Sequence, residues 1–151
     1  MKIAVRTVFD PAAREELIGR MERVRPDVPP QWGKMNAGQM LAHVNASLAM
    51  GLGELKTAPK RTPIANPLAR WLLIYKLKWP QGTPTAPELL ATPPAEWDAD
   101  LARFRDLMAR MGSRPASAEW PRHPAFGAMT GKQWGDLTYK HLDHHLRQFG
   151  V

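Results

Sequence analysis

Residues 130–150 read TGKQWGDLTYKHLDHHLRQFG and combine a helix start, a helical repeat of apolar residues and three of the five histidines of the chain. Thr130 and Gln133 have the spacing of a capping box, in which two side chains bind free backbone N–H groups at a helix start. Apolar residues then recur at helical intervals, and a glycine closes the stretch, as is common where helices end. The stretch therefore predicts one long helix with His141 and His145 on a shared face.

Four further helices are predicted from similar signals. Asn36 and Gln39 form a second capping box, and apolar residues follow at helical spacing as far as Gly51 or Gly53. The other predicted helices cover residues 11–24, which Asp10 caps, residues 67–79, and residues 94–111, which Gly112 ends.

Proline clusters separate these helices. The chain contains 15 prolines, grouped mainly at residues 26–30, 59–67, 80–94 and 115–124. Proline removes a hydrogen bond from a helix interior, so each cluster marks a connection. Strand signals are few, although residues 2–8 are compatible with a short strand or extended arm. We expect an all-α helical bundle with long proline-rich connections, folded as a single domain over residues 1–151.

Composition excludes several classes of protein. The chain has no cysteine, which rules out disulfides, thiolate metal sites, iron–sulfur clusters and a cysteine nucleophile. The N-terminus lacks the apolar segment of a secretory signal, so a cytoplasmic location is expected. The most apolar stretch, residues 71–75, is far shorter than the ~20 residues that cross a bilayer.

The positive charge is uneven. The net charge is +7, and residues 55–87 contain six lysines and arginines but no acidic residue. Such a stretch is typical of a surface that attracts an anionic partner, such as a small anionic substrate, or of a solvated basic face.

Three of the five histidines lie close together in the last predicted helix. Side chains four apart on a helix are neighbours, so His141 and His145 can bind one ion. His43 is the natural third ligand, because it lies mid-helix on a face expected to turn toward the core. His144 points ~100° away from His145 around the helix and is a poorer ligand. The alternative is structural, since histidines near a helix C-terminus interact favourably with its dipole.

The segment WGKMNAGQMLAH at residues 32–43 and the ending HLDHHLRQFG at residues 141–150 resemble the DinB/YfiT-like superfamily of metal-dependent proteins, in particular one uncharacterised bacterial branch. The resemblance covers most of the chain. It implies a four-helix bundle in which His43, His141 and His145 bind a divalent metal. The chain matches an HHxxQ pattern but has Leu146-Arg147 where the usual ending has an arginine-glycine pair.

The resemblance also implies an activity. Members of the superfamily include transferases and isomerases that use low-molecular-weight thiols, so a metal-dependent thiol transferase or isomerase is expected. Three neutral imidazoles leave a coordination position open, and such sites accept several divalent ions, of which we expect Zn²⁺ or Ni²⁺ here. Bundles of this kind often form homodimers.

Two histidines are candidates for a catalytic role, His144 beside the ligands and His123. The pattern HPAFG at residues 123–127 predicts either a loop over the metal pocket, with His123 available for proton transfer or as a further ligand, or a turn that places Phe126 in the core.

Two alternatives remain open from the sequence. One is a metal-dependent hydrolase assisted by Asp136, Asp143 or Glu54, although Asp143 is expected to point away from the ligands and no HExxH motif indicates a peptidase. The other is a non-enzymatic basic module. Nucleic acid is an improbable partner for it because no recognition motif is present, whereas the predicted helix at 67–79 suits an anionic membrane surface.

Overall fold

The computed structural model describes residues 6–82 and 85–151, and the regular structure of these residues is helical. The α-helices are α1 (Pro11–Glu22), α2 (Ala37–Gly51), α3 (Pro67–Tyr75), α4 (Trp97–Ser113) and α5 (Gly131–Gln148), with short 3-10 helices at Pro63–Ala65 and Pro87–Leu89. No strand forms within the described residues, where an isolated bridge joins His123 and Gly127. The all-α prediction is confirmed for this part of the chain.

Both predicted capping boxes are present. At α2, the Gln39 backbone N–H donates to the Asn36 side chain over 2.8 Å, and the Asn36 N–H donates to the Gln39 side chain over 2.9 Å. At α5, Thr130 and Gln133 exchange the same pair of bonds over 3.1 and 3.0 Å. These bonds fix where the two histidine-bearing helices begin, and therefore which residues lie on each face.

Helix α4 differs from its prediction at both ends. It begins at Trp97 rather than at residue 94, and it continues through Gly112 to Ser113. Gly112 lies inside the helix and does not end it, and its lack of a side chain leaves room for Arg14. A Cβ at this position would lie 2.3 Å from the guanidinium of Arg14 on α1.

Helix α3 is shorter than predicted and stops at Tyr75 instead of Trp79. The carbonyls near its end are taken by side chains. The Trp79 indole N–H donates to the Leu73 carbonyl over 2.9 Å, and the Lys140 ammonium donates to the carbonyls of Leu73, Ile74 and Leu77. These bonds favour a turn after Tyr75 over another helical turn.

The N-terminal region differs from its prediction in part. Helix α1 ends at Glu22, two residues before the predicted end. The predicted arm at residues 2–8 lies mostly outside the described residues, and residues 6–8 form no strand. Val8 is buried, and its N–H donates to the Gly135 carbonyl over 3.3 Å.

Helices α1, α2, α4 and α5 share one hydrophobic core, to which each contributes fully buried side chains such as Leu17, Leu41, Phe104 and Leu142. Helix α3 lies apart from that core, with Ile74 packed against Leu137 of α5 in a smaller cluster. No helix of the described residues combines the length and apolarity needed to cross a membrane. The arrangement leaves an open space between α2 and α5 on one side and α3 with its neighbouring loops on the other.

Candidate metal centre

Three histidines from two helices meet at one point. The Nε2 atom of His141 lies 3.0 Å from Nε2 of His43 and 3.1 Å from Nε2 of His145. One ring nitrogen from each residue lies within 4.8 Å of the others. The structure therefore brings together the three side chains that spacing and the resemblance selected as metal ligands.

The cluster lies in a pocket of about 490 Å³ that is lined by all five histidines of the chain. Apolar side chains form most of its walls, including Leu73, Trp79, Phe126, Trp134 and Leu137. Lys60 also lines it, and no acidic residue is among the described lining residues. The volume falls within the roughly 300 to 1,000 Å³ typical of sites for small molecules.

Burial keeps the cluster histidines neutral. It lowers the pKa of His43, although the Leu89 backbone raises that pKa in part. It lowers the pKa of His145 to about 3, with a further contribution from His43. His141 is partly exposed to the pocket. The desolvation of its ring, and then the neighbouring histidines, hold its pKa well below the usual value. Neutral imidazole is the form that binds a metal ion.

The proton position on His145 follows from its neighbours. The Gln148 side chain donates through Nε2 to the Trp32 carbonyl over 2.8 Å, so its oxygen faces His145. That oxygen lies 3.0 Å from Nδ1 of His145, which must therefore carry the ring proton and donate it. Nε2 of His145 is left with a free lone pair directed at the cluster, as metal binding requires.

Gly33 makes room for this arrangement. Its φ of +86° lies in the left-handed region that favours glycine, and a Cβ there would lie 2.3 Å from the Gln148 amide nitrogen. The Trp32-Gly33 pair is thus matched to Gln148 by backbone conformation and by space. The two segments that carry the family resemblance touch each other at this point.

The Nδ1 atoms of His141 and His43 have different surroundings. Nδ1 of His141 lies 3.2 Å from the hydroxyl of Ser47, which is one turn beyond His43 on α2. The hydroxyl can donate or accept, so it orients the ring in either protonation pattern. Nδ1 of His43 is buried and meets no partner among the described residues at ordinary hydrogen-bond geometry, although the Leu89 backbone is near enough to raise the pKa of this ring.

The cluster fits a divalent cation. Two nitrogens bound tetrahedrally to zinc at ~2.0–2.1 Å are roughly 3.4 Å apart, close to the 3.0 and 3.1 Å of the two pairs that include His141, and the ligand atoms of all three residues lie within 4.8 Å of one another. Each neutral imidazole has a single proton, and His145 uses its own on Gln148. A shared cation would satisfy all of the converging lone pairs at once, which one proton between two rings does not.

The two catalytic candidates also line the pocket, but outside the cluster. The His144 ring lies between Trp32 and Trp79, with ring centroids 6.1 and 5.8 Å away. Burial lowers the pKa of His144 most, while nearby Asp143 raises it. The sequence placed His144 away from the ligand face, and the geometry agrees.

His123 stands in the turn predicted from the HPAFG pattern, and both interpretations of that pattern hold in part. The turn borders the pocket through His123, and it buries Phe126, whose ring centroid lies 4.9 Å from that of His123. The N–H groups of Ala125 and Phe126 each donate to Nδ1 of His123 over 3.1 Å. His123 is not part of the three-histidine cluster.

The acidic residues considered for hydrolysis all bind elsewhere. Asp143 pairs with Arg20 over 2.8 Å, on the far side of α5. Asp136 accepts from the Tyr75 hydroxyl over 2.7 Å and pairs with Lys132, and Glu54 pairs with Arg110. None of the three is among the described residues that line the pocket.

Sequence reasoning did not assign the supporting residues Ser47, Trp79 and Gln148. Gln148 had a usable signal, since it lies three residues after His145 on the same helix face. Ser47 lies four residues after His43 and had the same signal. Trp79 had none, because its position depends on the unpredicted turn after α3.

Comparison with known proteins gives a family and no assigned activity. No curated protein and no solved structure matches the chain. The model of one family does match, over residues 12–150, and thus covers both histidine-bearing helices. The chain therefore belongs to the family described as "Protein of unknown function (DUF1569)".

Proposed function

We propose that this protein binds one divalent metal ion, Zn²⁺ or Ni²⁺ before others, through His43, His141 and His145. The convergence of three Nε2 atoms from two helices at the base of a pocket carries the proposal. The fixed tautomer of His145 supports it, because Gln148 leaves the lone pair of Nε2 pointing at its neighbours. We also propose that the chain is one of the DinB/YfiT-like four-helix bundles, which the resemblance of residues 32–43 and 141–150 and the meeting of the three histidines support.

The proposed reaction is a thiol-dependent transfer or isomerisation on a small anionic substrate. A divalent ion at the cluster would supply Lewis acidity toward a small thiol that reaches the pocket. Apolar side chains, among them Trp79, Phe126 and Trp134, line the same pocket and could contact the apolar part of a substrate. The absence of acidic residues from the described lining, together with Lys60, favours an anionic ligand.

The binding step is tested by elemental analysis of the purified full-length protein and of His43→Ala, His141→Ala and His145→Ala. We expect about one ion per wild-type chain and a strong loss of metal in each variant. His144→Ala is the matched control, because it removes a neighbouring imidazole outside the cluster, and it should keep its metal. Full metal content in all three cluster variants would contradict the proposed ligands.

The thiol step is tested on protein loaded with Co²⁺, whose complexes with thiolates absorb strongly. We expect glutathione or cysteine to produce a sulfur-to-cobalt charge-transfer band that is missing in His141→Ala. If cobalt binds and neither thiol changes the spectrum, the metal site stands and the thiol activity fails.

Metal-dependent hydrolysis is the second enzymatic candidate. It needs a group that accepts a proton, and the carboxylates considered for that role are held in ion pairs outside the pocket. The pocket offers only imidazoles for this purpose among its described residues. A thiol also has to lose a proton, but its pKa is far below that of water and a bound metal ion would lower it further, so an imidazole would suffice as the acceptor and this arrangement favours the thiol reaction.

One surface supports the non-enzymatic alternative. Leu68 and Trp71 of α3 and nearby Leu77 are 65, 43 and 49% exposed, beside Lys76 and Lys78. Exposed apolar side chains next to lysines are typical of contact with an anionic membrane surface. Flotation with phosphatidylserine vesicles tests this candidate, which predicts binding that weakens in Trp71→Ser and at high salt.

A further inference from the structure

His123 lines the same pocket as the three-histidine cluster, and its hydrogen bonds fix which ring nitrogen carries the proton. The N–H groups of Ala125 and Phe126 donate to Nδ1 of His123, each over 3.1 Å, so Nδ1 must carry a lone pair. A neutral imidazole with an unprotonated Nδ1 carries its proton on Nε2. The turn therefore holds His123 as an Nε2–H hydrogen-bond donor.

Backbone hydrogen bonds and ring packing orient this donor within the turn. The backbones of His123 and Gly127 exchange two hydrogen bonds, of 2.9 and 3.0 Å. Gly127 has a φ of +74°, which suits glycine and closes the turn. The His123 ring packs between Phe126 and Trp134, with centroids 4.9 and 5.4 Å away.

The donor has no partner in the described part of the protein. The edge of the ring that carries Nδ1 faces the turn, so Nε2 lies on the opposite edge, and His123 lines the pocket. No hydrogen bond to Nε2 occurs among the described residues, whereas Nδ1 has two. Burial also lowers the pKa of His123 to about 4, so the ring stays neutral at pH 7.

We infer that His123 binds an oxygen of the substrate, and that the substrate is a small carboxylate with an apolar or aromatic body. The inference rests on the proposed function for the reactive end of the pocket and adds a second contact point. The Nε2–H group provides the donor, and the walls around Trp79, Phe126 and Trp134 accommodate the apolar body. Lys60 adds positive charge among the lining residues, and no described acidic residue there repels a carboxylate.

The His123→Asn variant removes the Nε2–H donor and keeps the hydrogen bonds that form the turn. An asparagine oxygen accepts N–H groups two and three residues ahead in the same kind of turn, so it replaces Nδ1. The shorter side chain lacks any group at the position of Nε2. Benzoate is the probe and toluene its neutral counterpart, with Kd measured by NMR titration of the Trp134 indole signal on metal-free and zinc-loaded full-length protein.

We expect His123→Asn to weaken benzoate binding roughly 10- to 100-fold in both forms, the range for a lost hydrogen bond to a charged group. Toluene binding and zinc content should not change. Lys60→Met should weaken benzoate by about fivefold or less, because Lys60 is exposed. A nitrogen-15 spectrum of the wild type should show the His123 proton on Nε2.

Three results would overturn the inference: unchanged benzoate affinity in His123→Asn, no benzoate binding by the wild type, or a proton on Nδ1 of His123. The test is independent of the metal proposal. If the protein proves unable to bind zinc but binds benzoate through His123, this inference stands and the proposed metal function fails. If it binds zinc normally and His123→Asn leaves benzoate affinity unchanged, the metal function stands and this inference fails.

Discussion

The two sides of the pocket are built in different ways. We call His43, His141 and His145 on α2 and α5 the histidine wall, and residues 60–79 with 123–127 the cover. The residues of the histidine wall belong to two long helices, which begin at capping boxes and pack into the main core. The cover consists of one short helix and irregular segments rich in proline.

Side-chain hydrogen bonds to carbonyls hold the cover together and join it to α5. Within the cover, Arg70 donates to the Phe126 carbonyl over 2.9 Å and the Thr62 hydroxyl donates to the Ala125 carbonyl over 2.6 Å. Lys140 of α5 donates to three carbonyls near the end of α3. Few of its side chains are fully buried, so we expect the cover to open more easily than the wall. Such a division would suit the proposed function, in which the helices hold an ion and the cover admits a substrate.

The largest expected effect concerns the wall. Zinc at about a thousand times its Kd should stabilise the wild type by roughly 4 kcal/mol, which raises the melting temperature by on the order of 10 °C. His145→Ala should lose most of that rise at the same zinc concentration, and His144→Ala should keep it. Thermal unfolding with zinc and with a chelator measures both. Equal rises in the two variants would remove the distinction between His145 and its neighbour.

The second prediction concerns pH and the cover. Folded His123 has a pKa of about 4, and the unfolded chain takes up the same proton near 6.5. Between these values the unfolded state binds more protons, so the free energy of unfolding falls as the pH is lowered. In metal-free protein this residue should contribute a loss of up to about 3 kcal/mol. Urea denaturation from pH 7.5 to 4.5 should show a smaller loss for His123→Asn, and equal losses would contradict the burial of His123.

The third prediction concerns the support of the wall. Gln148→Leu should weaken zinc binding by about 10- to 100-fold, the usual range when a hydrogen bond to a ligating histidine is removed. Gly33→Ala should have a similar effect, because its Cβ would displace the Gln148 amide. Competition titration with a coloured chelator measures both affinities. If the residues act through one contact, the double variant is no weaker than the poorer single variant, and additive losses would indicate separate roles.

The fourth and smallest prediction concerns the anchor of the cover. Burial lowers the pKa of Lys140, and its ammonium binds three carbonyls near the end of α3. Lys140→Met should cost about 1–3 kcal/mol of stability and increase hydrogen exchange in α3, with zinc affinity nearly unchanged. Lys56→Met, at an exposed position, should stay within about 0.5 kcal/mol of the wild type. A large loss of zinc affinity in Lys140→Met would mean that cover and wall are not independent.

The wall was predictable from the sequence because its signals are local. Capping boxes set the starts of α2 and α5, and helical periodicity then placed His43, His141 and His145 on inward faces. The meeting of two helices is a tertiary event that periodicity alone does not give. The third histidine was therefore chosen by its expected face and by family resemblance.

The cover was less predictable because contacts distant in sequence set its shape. Trp79 was expected at the end of a helix, yet it turns back to Leu73 beneath Lys140, which lies more than sixty residues later. Gly112 was expected to end α4, but the space it leaves is used by Arg14. Local propensity carries no information about either partner.

The most direct test of the three-histidine site is the X-ray absorption spectrum of the zinc-loaded, full-length wild type. We expect one zinc ion per chain with three imidazole nitrogens among its ligands, since three Nε2 atoms converge in the pocket. A spectrum with one imidazole or none, at full zinc occupancy, would contradict the claim that His43, His141 and His145 bind the ion together.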